Sequence, residues 1–261
     1  MFAGRMKKRL TSKVAIITGS AQGIGAAFAV GLAMEGAQVV VADILDGNKV
    51  VQSIEKAGCE AIFVKTDVTS QDECDAMAKA ANDRFGSIDV LINNAAVFGS
   101  LVKKPFTEIT TEEWNHVMEV NVGGAFHCTK AVFPYMREKG GKIINMCSST
   151  IFEGVPGLGV PHYVASKGAV MAFTRAMART LGEYKINVNS IAPGFTHSEG
   201  GDRYDKKNNP VPAEERLMPR KCIKREGVPE DLVGTAIFLS SDDSNSITGQ
   251  LIVNDLGVNF H

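Results

Sequence analysis

Apolar runs of five to eight residues alternate along this chain with longer stretches whose apolar positions recur every three or four residues. "KVAIITG" (13–19) is continuously apolar and ends in glycine, which predicts a strand buried on both faces. A helix is predicted over 23–35, and "AQVVVAD" (37–43) reads as a second strand. "NKVVQSIEKAG" (48–58) reads as a helix closed by Gly58. The alternation continues with a strand at 60–67, a helix at 70–85, and a strand at 87–96 that runs into a loop. A long helix follows at 111–138, then a strand at 140–149, a helix at 163–182 and a strand at 186–194 that meets a Pro-Gly break. A helix at 229–240 and a short strand at 250–254 close the pattern. Strands separated by helices with short connections predict parallel βαβ units, hence a doubly wound Rossmann-type sheet of about seven strands with helices on both faces. One domain over 1–261 is expected. The stretch 195–226 breaks the alternation; it is rich in charge, Gly, Asn and Pro and too long for an ordinary connection, so a substrate lid is expected there, with Gly200 and Gly201 as hinges.

Composition narrows the classes. The chain is 44% hydrophobic and 22% charged with a formal net charge of -1, which offers no electrostatic footing for nucleic acid or an anionic membrane. Five cysteines (59, 74, 128, 147 and 222) show no C-x-x-C pair, and the five histidines are scattered, so neither a disulfide framework nor a metal site is expected. A reducing cytoplasm suits such a chain. "MFAGRMKKRL" is basic but is followed by no apolar core, so it does not read as a signal peptide; Met6 offers a second start.

The chemistry sits where strands end. "TGSAQGIG" (18–25) follows the first strand and opens the first helix, and Gly19, Gly23 and Gly25 permit a tight turn and close approach to a pyrophosphate. The spacing G-x-x-x-G-x-G differs from the G-x-G-x-x-G of many dinucleotide sites. Asp43 ends the second strand, where a carboxylate accepts from a ribose diol and repels a 2′-phosphate; with no Lys or Arg adjoining it in the sequence, NAD is expected over NADP. A helix cap is the alternative for Asp43, one Asp46 would serve as well. Asp67, ending the third strand, suits an adenine edge or a turn equally. "NNAA" (93–96) ends the fourth strand at the same edge.

"HYVASKG" (162–168) stacks Tyr163 over Lys167 on one helical face, just after a strand ending in Ser148 and Ser149. Taken alone, the pair is also what a snorkelling lysine looks like. Together with the glycine turn it places a hydroxyl, a phenol and an ammonium beside a nicotinamide, the ammonium lowering the phenol's pKa so that it serves as a base.

These motifs resemble those of the short-chain dehydrogenase/reductase family: "TGSAQGIG", "NNAA", "NVGG" (121–124), "SS" before "YVASK", "PG" (193–194) and "ITGQ" (247–250) occur in family order over nearly the whole chain. The resemblance implies a catalytic set of Asn121, Ser148, Tyr163 and Lys167. Tyr163 would be the acid/base, Lys167 would also bind the nicotinamide ribose, and Asn121 would hold a relay water; from the residues alone, Asn121 reads equally as a packing asparagine. It further implies cofactor contacts from Gly19, Gln22, Gly23, Ile24, Gly25, Asp43, Asp67, Val68, Asn94, Tyr163, Lys167, Pro193, Gly194, Thr196 and Ser198. A homotetramer acting on a small-molecule secondary alcohol or ketone is implied, nearest in character to cyclic or aromatic alcohols, with a 3-oxoacyl thioester reductase or a non-catalytic dinucleotide-binding regulator as alternatives.

Three departures stand out. Ser148 lies 15 residues before Tyr163, about two more than is usual, which keeps Ser149 in play and points to a rearranged loop at 150–161. Ala96 replaces a glycine, and "VNDLG" (253–257) replaces the usual ending, leaving the C-terminal packing open. In 195–226, Arg216, Arg220, Lys221, Lys224 and Arg225 read either as a solvated face or as a source of one cation for an anionic substrate group. Phe195, Tyr204, Leu217 and Met218 are expected to set substrate choice.

Overall fold

A computed structural model describes residues 8–152 and 159–260 of the chain. The N-terminal segment with Met6, residues 153–158 of the 150–161 loop and the terminal His261 lie outside the described residues. Seven strands form one parallel sheet: β1 (Val14–Thr18), β2 (Gln38–Asp43), β3 (Ala61–Lys65), β4 (Val90–Asn93), β5 (Gly141–Met146), β6 (Ile186–Pro193) and β7 (Leu251–Asn254), in the order β3-β2-β1-β4-β5-β6-β7. The order reverses between β1 and β4, which opens a crevice at their carboxyl ends.

The continuous apolar runs follow from burial on both faces. In β1, Ala15 and Ile17 point into a cluster with α1 (Gly23–Met34), α2 (Asn48–Lys56) and α9 (Glu230–Ser240) through Phe28, Leu32, Ile54 and Leu232. Ile16, between them, joins the opposite cluster with α3 (Gln71–Phe85), α5 (Gly124–Met136) and α6 (Pro161–Leu181) through Met77, Val132 and Leu181. No described helix is long and apolar enough to cross a membrane.

Two elements differ from expectation. The stretch 111–138 is not one helix: α4 (Thr111–Met118) and α5 are joined by a π turn at Glu119–Gly123 that carries Asn121. Gly123 and Gly124 weaken the helix there, and a side-chain carbon on Gly124 would stand only 2.6 Å from Val68 Cγ2, so glycine lets α5 lie close to the third strand's end. The stretch 195–226 is built rather than irregular, with α7 (Glu199–Asn208) and α8 (Ala213–Leu217).

The "VNDLG" ending is organised by Asp255. Its Oδ1 accepts from the backbone N–H groups of Gly257 and Val258, and its Oδ2 from the backbone and side-chain nitrogens of Asn259, at 2.9–3.0 Å. A side-chain carbon on Gly194 would lie 2.7 Å from Asp255 Cβ, so the same aspartate abuts the Pro-Gly break after β6. Asp255→Ala is expected to lower unfolding free energy by about 4 kcal/mol, each lost bond to the charged acceptor contributing on the order of 1 kcal/mol. Urea unfolding followed by circular dichroism checks this; an unchanged midpoint would remove Asp255 from this role.

Candidate active site

The glycine turn and the ends of five strands line one cavity of about 910 Å³. Gly19 and Gly23 have φ of 63° and 60°, which favours glycine. Gly25 is required by contact: a Cβ there would sit 2.2 Å from Gly19 O and 2.5 Å from Asn94 Nδ2. Asn94 Nδ2 donates to the carbonyls of Thr18 (2.9 Å) and Gly19 (2.8 Å), so its amide is spent on holding the turn. What remains beside the first helix's N-terminus is an open cradle lined by Gly19, Gln22, Gly23, Ile24 and Gly25, which fits a dinucleotide pyrophosphate.

Asp43 is buried at the end of β2, with Oδ2 accepting from Ala21 N–H and Oδ1 from Leu45 N–H, both at 2.9 Å. Each oxygen keeps a lone pair for a ribose hydroxyl. Asp43 therefore braces the turn and does not cap α2, whose N-cap is Gly47; it also lines the cavity. Lys65 lies in register beside Asp43 on the edge strand; it neither lines the cavity nor pairs with Asp43. Asp67 is likewise dual: Oδ1 accepts from Thr69 N–H and Oγ1, and Asp67 and Val68 both line the cavity.

Ser148, Tyr163 and Lys167 meet beyond the end of β5, all buried. Of the two serine hydroxyls, that of Ser148 is the one that acts on the Tyr163 phenol, favouring its charged form. Its Oγ also accepts from the N–H and hydroxyl of Thr150. Lys167 Nζ donates to Met146 O at 2.8 Å and stands 5.7 Å from the centre of the tyrosine ring. Burial pushes the Tyr163 phenol well above its ordinary value, and the Ser148 hydrogen bond works against this. Burial also pushes Lys167 down to about 8. The expected lowering of the phenol by the ammonium is not among the influences on Tyr163; desolvation is the largest effect on both groups.

Asn121 is buried and linked to this centre. Its Oδ1 accepts from Val97 N–H at 2.7 Å, and its Nδ2 donates to Ser166 Oγ at 2.9 Å, which in turn donates to Tyr163 O at 2.7 Å. The side chain therefore ties three segments together, as a packing asparagine does. Pro193, Gly194, Thr196 and Ser198 line the cavity after β6; Thr196 Oγ1 donates to Gly194 O, and Ser198 caps α7 by accepting from Gly201 N–H.

Phe98, which the sequence reading passed over, packs between Tyr163 (ring centres 4.8 Å apart) and Tyr204 of α7 (4.5 Å). An aromatic residue two places beyond "NNAA" was the available signal. α7 is docked on the loop that carries Phe98: Asn208 Oδ1 accepts from Lys103 N–H and Lys207 Nζ donates to Ser100 O. Gly200 and Gly201 are not hinges here. They lie in the first turn of α7, where a Cβ on Gly201 would stand 2.3 Å from Thr196 O, and Gly99 approaches the Gly200 backbone so closely that its own Cβ would be 2.8 Å from Gly200 O. Phe195, Tyr204 and Leu217 line the cavity; Met218 does not. Of the five basic residues, Arg216 binds Asp205, Arg225 binds Asp231, and Lys221 and Lys224 donate to backbone carbonyls, which leaves these four tying the segment together. Arg216, Arg220 and Lys221 line the cavity.

Comparison with known proteins matches residues 19–259 to a family model described as enoyl-(acyl carrier protein) reductase. The chain is 40% identical to galactitol 2-dehydrogenase of Agrobacterium fabrum, over 93% of this chain and 95% of that one. It is 37% identical to 5-keto-D-gluconate 5-reductase of Escherichia coli, over 95% and 96%. Among solved structures, a short-chain type dehydrogenase/reductase from Mycobacterium marinum superposes with a TM-score of 0.87 at 31% identity, covering 98% of each chain.

The lysine's burial makes a stability prediction. An unfolded lysine titrates near 10.5 and Lys167 near 8, so across that window the unfolded chain holds a proton that the folded chain has released. Stability attributable to this group rises with pH from about 8 to 10.5, and the full penalty applies below 8. Lys167→Met is expected to raise the melting temperature at pH 7 by roughly 2 °C or more, with the gap to wild type closing as pH rises through that window. Calorimetry of both proteins at pH 7 and pH 10 reads it; a variant that melts lower at pH 7 would contradict the assignment.

Proposed function

This chain belongs to the short-chain dehydrogenase/reductase family and is an oxidoreductase, and on that premise we propose that it transfers a hydride between NAD(H) and a secondary alcohol or its ketone, with Tyr163 as proton acceptor and donor. The observation that supports this best is the meeting of Ser148, Tyr163 and Lys167 in the cavity that also carries Asp43 and the glycine turn. The dinucleotide supplies the hydride acceptor or donor. Ser148 positions the substrate oxygen against the phenol. In the reductive direction Tyr163 gives its proton to that oxygen, and its raised pKa keeps it protonated for the task. In the oxidative direction the phenolate must form, so oxidation is favoured as pH rises. Lys167 has one proton on Met146 O and two left for a ribose hydroxyl and the phenolic oxygen. Asn121 holds Tyr163 in place through Ser166, and a relay water would rest on its backbone carbonyl in the π turn. Asp43 selects against a 2′-phosphate.

The substrate end of the cavity is walled by Val97, Phe98, Val160, Phe195, Tyr204 and Leu217, with the segment 195–226 as its lid. Such a wall favours a cyclic or aromatic group beside the carbinol. A second reading, a polyhydroxylated carbon chain, is favoured by what the two curated relatives are named for. α6 leaves Ala165, Ala172 and Ala176 open, and Gly168 faces empty space, next to exposed Trp114 of α4. We read this face as the seam of a homotetramer, in keeping with a cytoplasmic enzyme.

NAD is expected to exceed NADP in kcat/KM by at least ~10-fold, the effect of one adverse charge contact of about 1.4 kcal/mol. Tyr163→Phe should cost ~10²-fold or more in turnover while NADH still binds. A panel of 1-phenylethanol, cyclohexanol, galactitol, gluconate and an acetoacetyl thioester, each with NAD(H) and NADP(H), reads both the cofactor and the substrate class by absorbance of the reduced cofactor. NADP preference, or near-normal turnover by the phenylalanine variant, would refute the respective claim.

A further inference from the structure

The cradle over the first helix faces an acidic side chain that the chemistry above does not use. Glu199 is the first residue of α7 and follows its cap, Ser198. A side-chain carbon on Gly23 would stand 3.4 Å from Glu199 Oε2 and 3.5 Å from Ser198 Cβ. The carboxylate therefore hangs over the N-terminus of α1, where the pyrophosphate is assigned on the reading above. Among the described residues it forms no ion pair. The turn from Gly19 to Gly25 contains no Lys or Arg. Glu199 is exposed at the rim of the cavity, and Arg203, one turn along α7, lines the cavity and forms no ion pair among the described residues.

The arrangement opposes itself. The backbone N–H groups at the start of α1 attract an anion, and α7 holds a second anion in front of them. Were tight dinucleotide binding the only requirement, any uncharged residue at 199 would serve better. Glu199 does contribute to α7's first turn, where an acidic residue favours the helix by a few tenths of a kcal/mol; Asp202 lies in the same turn and acts in the same sense.

We propose that Glu199 is a built-in brake on the dinucleotide: its charge repels the pyrophosphate, weakens cofactor binding and speeds release of the reduced cofactor. It is a positioning charge on the lid and takes no part in proton transfer. The proposal rests on the dinucleotide reading of the cradle, and the test separates the two.

NADH is titrated into wild type, Glu199→Gln and a control, Glu183→Gln, whose charge change lies by the opposite, amino-terminal edge of the sheet before β6. Binding is read by the fluorescence of the reduced nicotinamide. In about 20 mM salt, Glu199→Gln should bind NADH ~3–10-fold more tightly than wild type, the gain shrinking toward one in about 0.5 M salt as the charges are screened. Adenosine, which carries no phosphate, should bind all three proteins alike. Stopped-flow displacement should show NADH leaving the glutamine variant more slowly. Equal or weaker NADH binding by Glu199→Gln, a gain that persists in high salt, or an equal gain for adenosine would each overturn the brake. Wild type that binds no NADH at all would instead overturn the dinucleotide reading.

Discussion

The amide of Asn94 reaches two carbonyls at once, those of Thr18 and Gly19, and the geometry of the cleft depends on that bridge. It joins the end of β4 to the end of β1 at the point where the strand order reverses. It leaves no room for any side chain at position 25. With the turn clamped, the first helix starts directly beneath it, and the two adjoining strand ends bring Asp43 and Ser148 to the same edge. A parallel sheet buried on both faces offers reactive side chains little open surface except at its ends. The cavity is the place where that restriction is lifted.

Much of this was legible in the residues. β1 and β2 reveal themselves because burial on both faces requires unbroken apolar runs, and Asp43 stands out as the first charge after one. Tyr163 and Lys167 are visible because helical spacing stacks them. Harder to see were features set by contacts between distant segments. The packing of Gly124, just after the π turn at 119–123, against Val68 is one that no local pattern records. Phe98 and Tyr204 are separated by about a hundred residues, and their stacking follows from how α7 docks. Gly200 and Gly201 illustrate the commonest confusion: glycine permits motion, but it equally permits close approach, and only the neighbours decide which.

The electrostatics of the reacting centre also corrected an intuition. Two ionisable groups on one helical face invite the idea that each stabilises the other's charge. Burial penalises both charged forms. Tyr163 is held as the neutral phenol, and Lys167 as a less basic amine anchored on a backbone carbonyl. Each group is thus shifted toward its neutral form relative to a free side chain.

The close approach of Gly99 to Gly200 divides the segment after β6 into two regions of very different evolvability. At the seam, a methyl group on Gly99 would wedge two backbones apart, so position 99 leaves no freedom for gradual change, whereas one on Gly200 would meet open space. Phe195 and Leu217 touch the same cavity from stretches outside that seam. New substrate preferences in a lineage carrying this architecture would accumulate at such positions, while the seam passed unchanged from one specificity to the next.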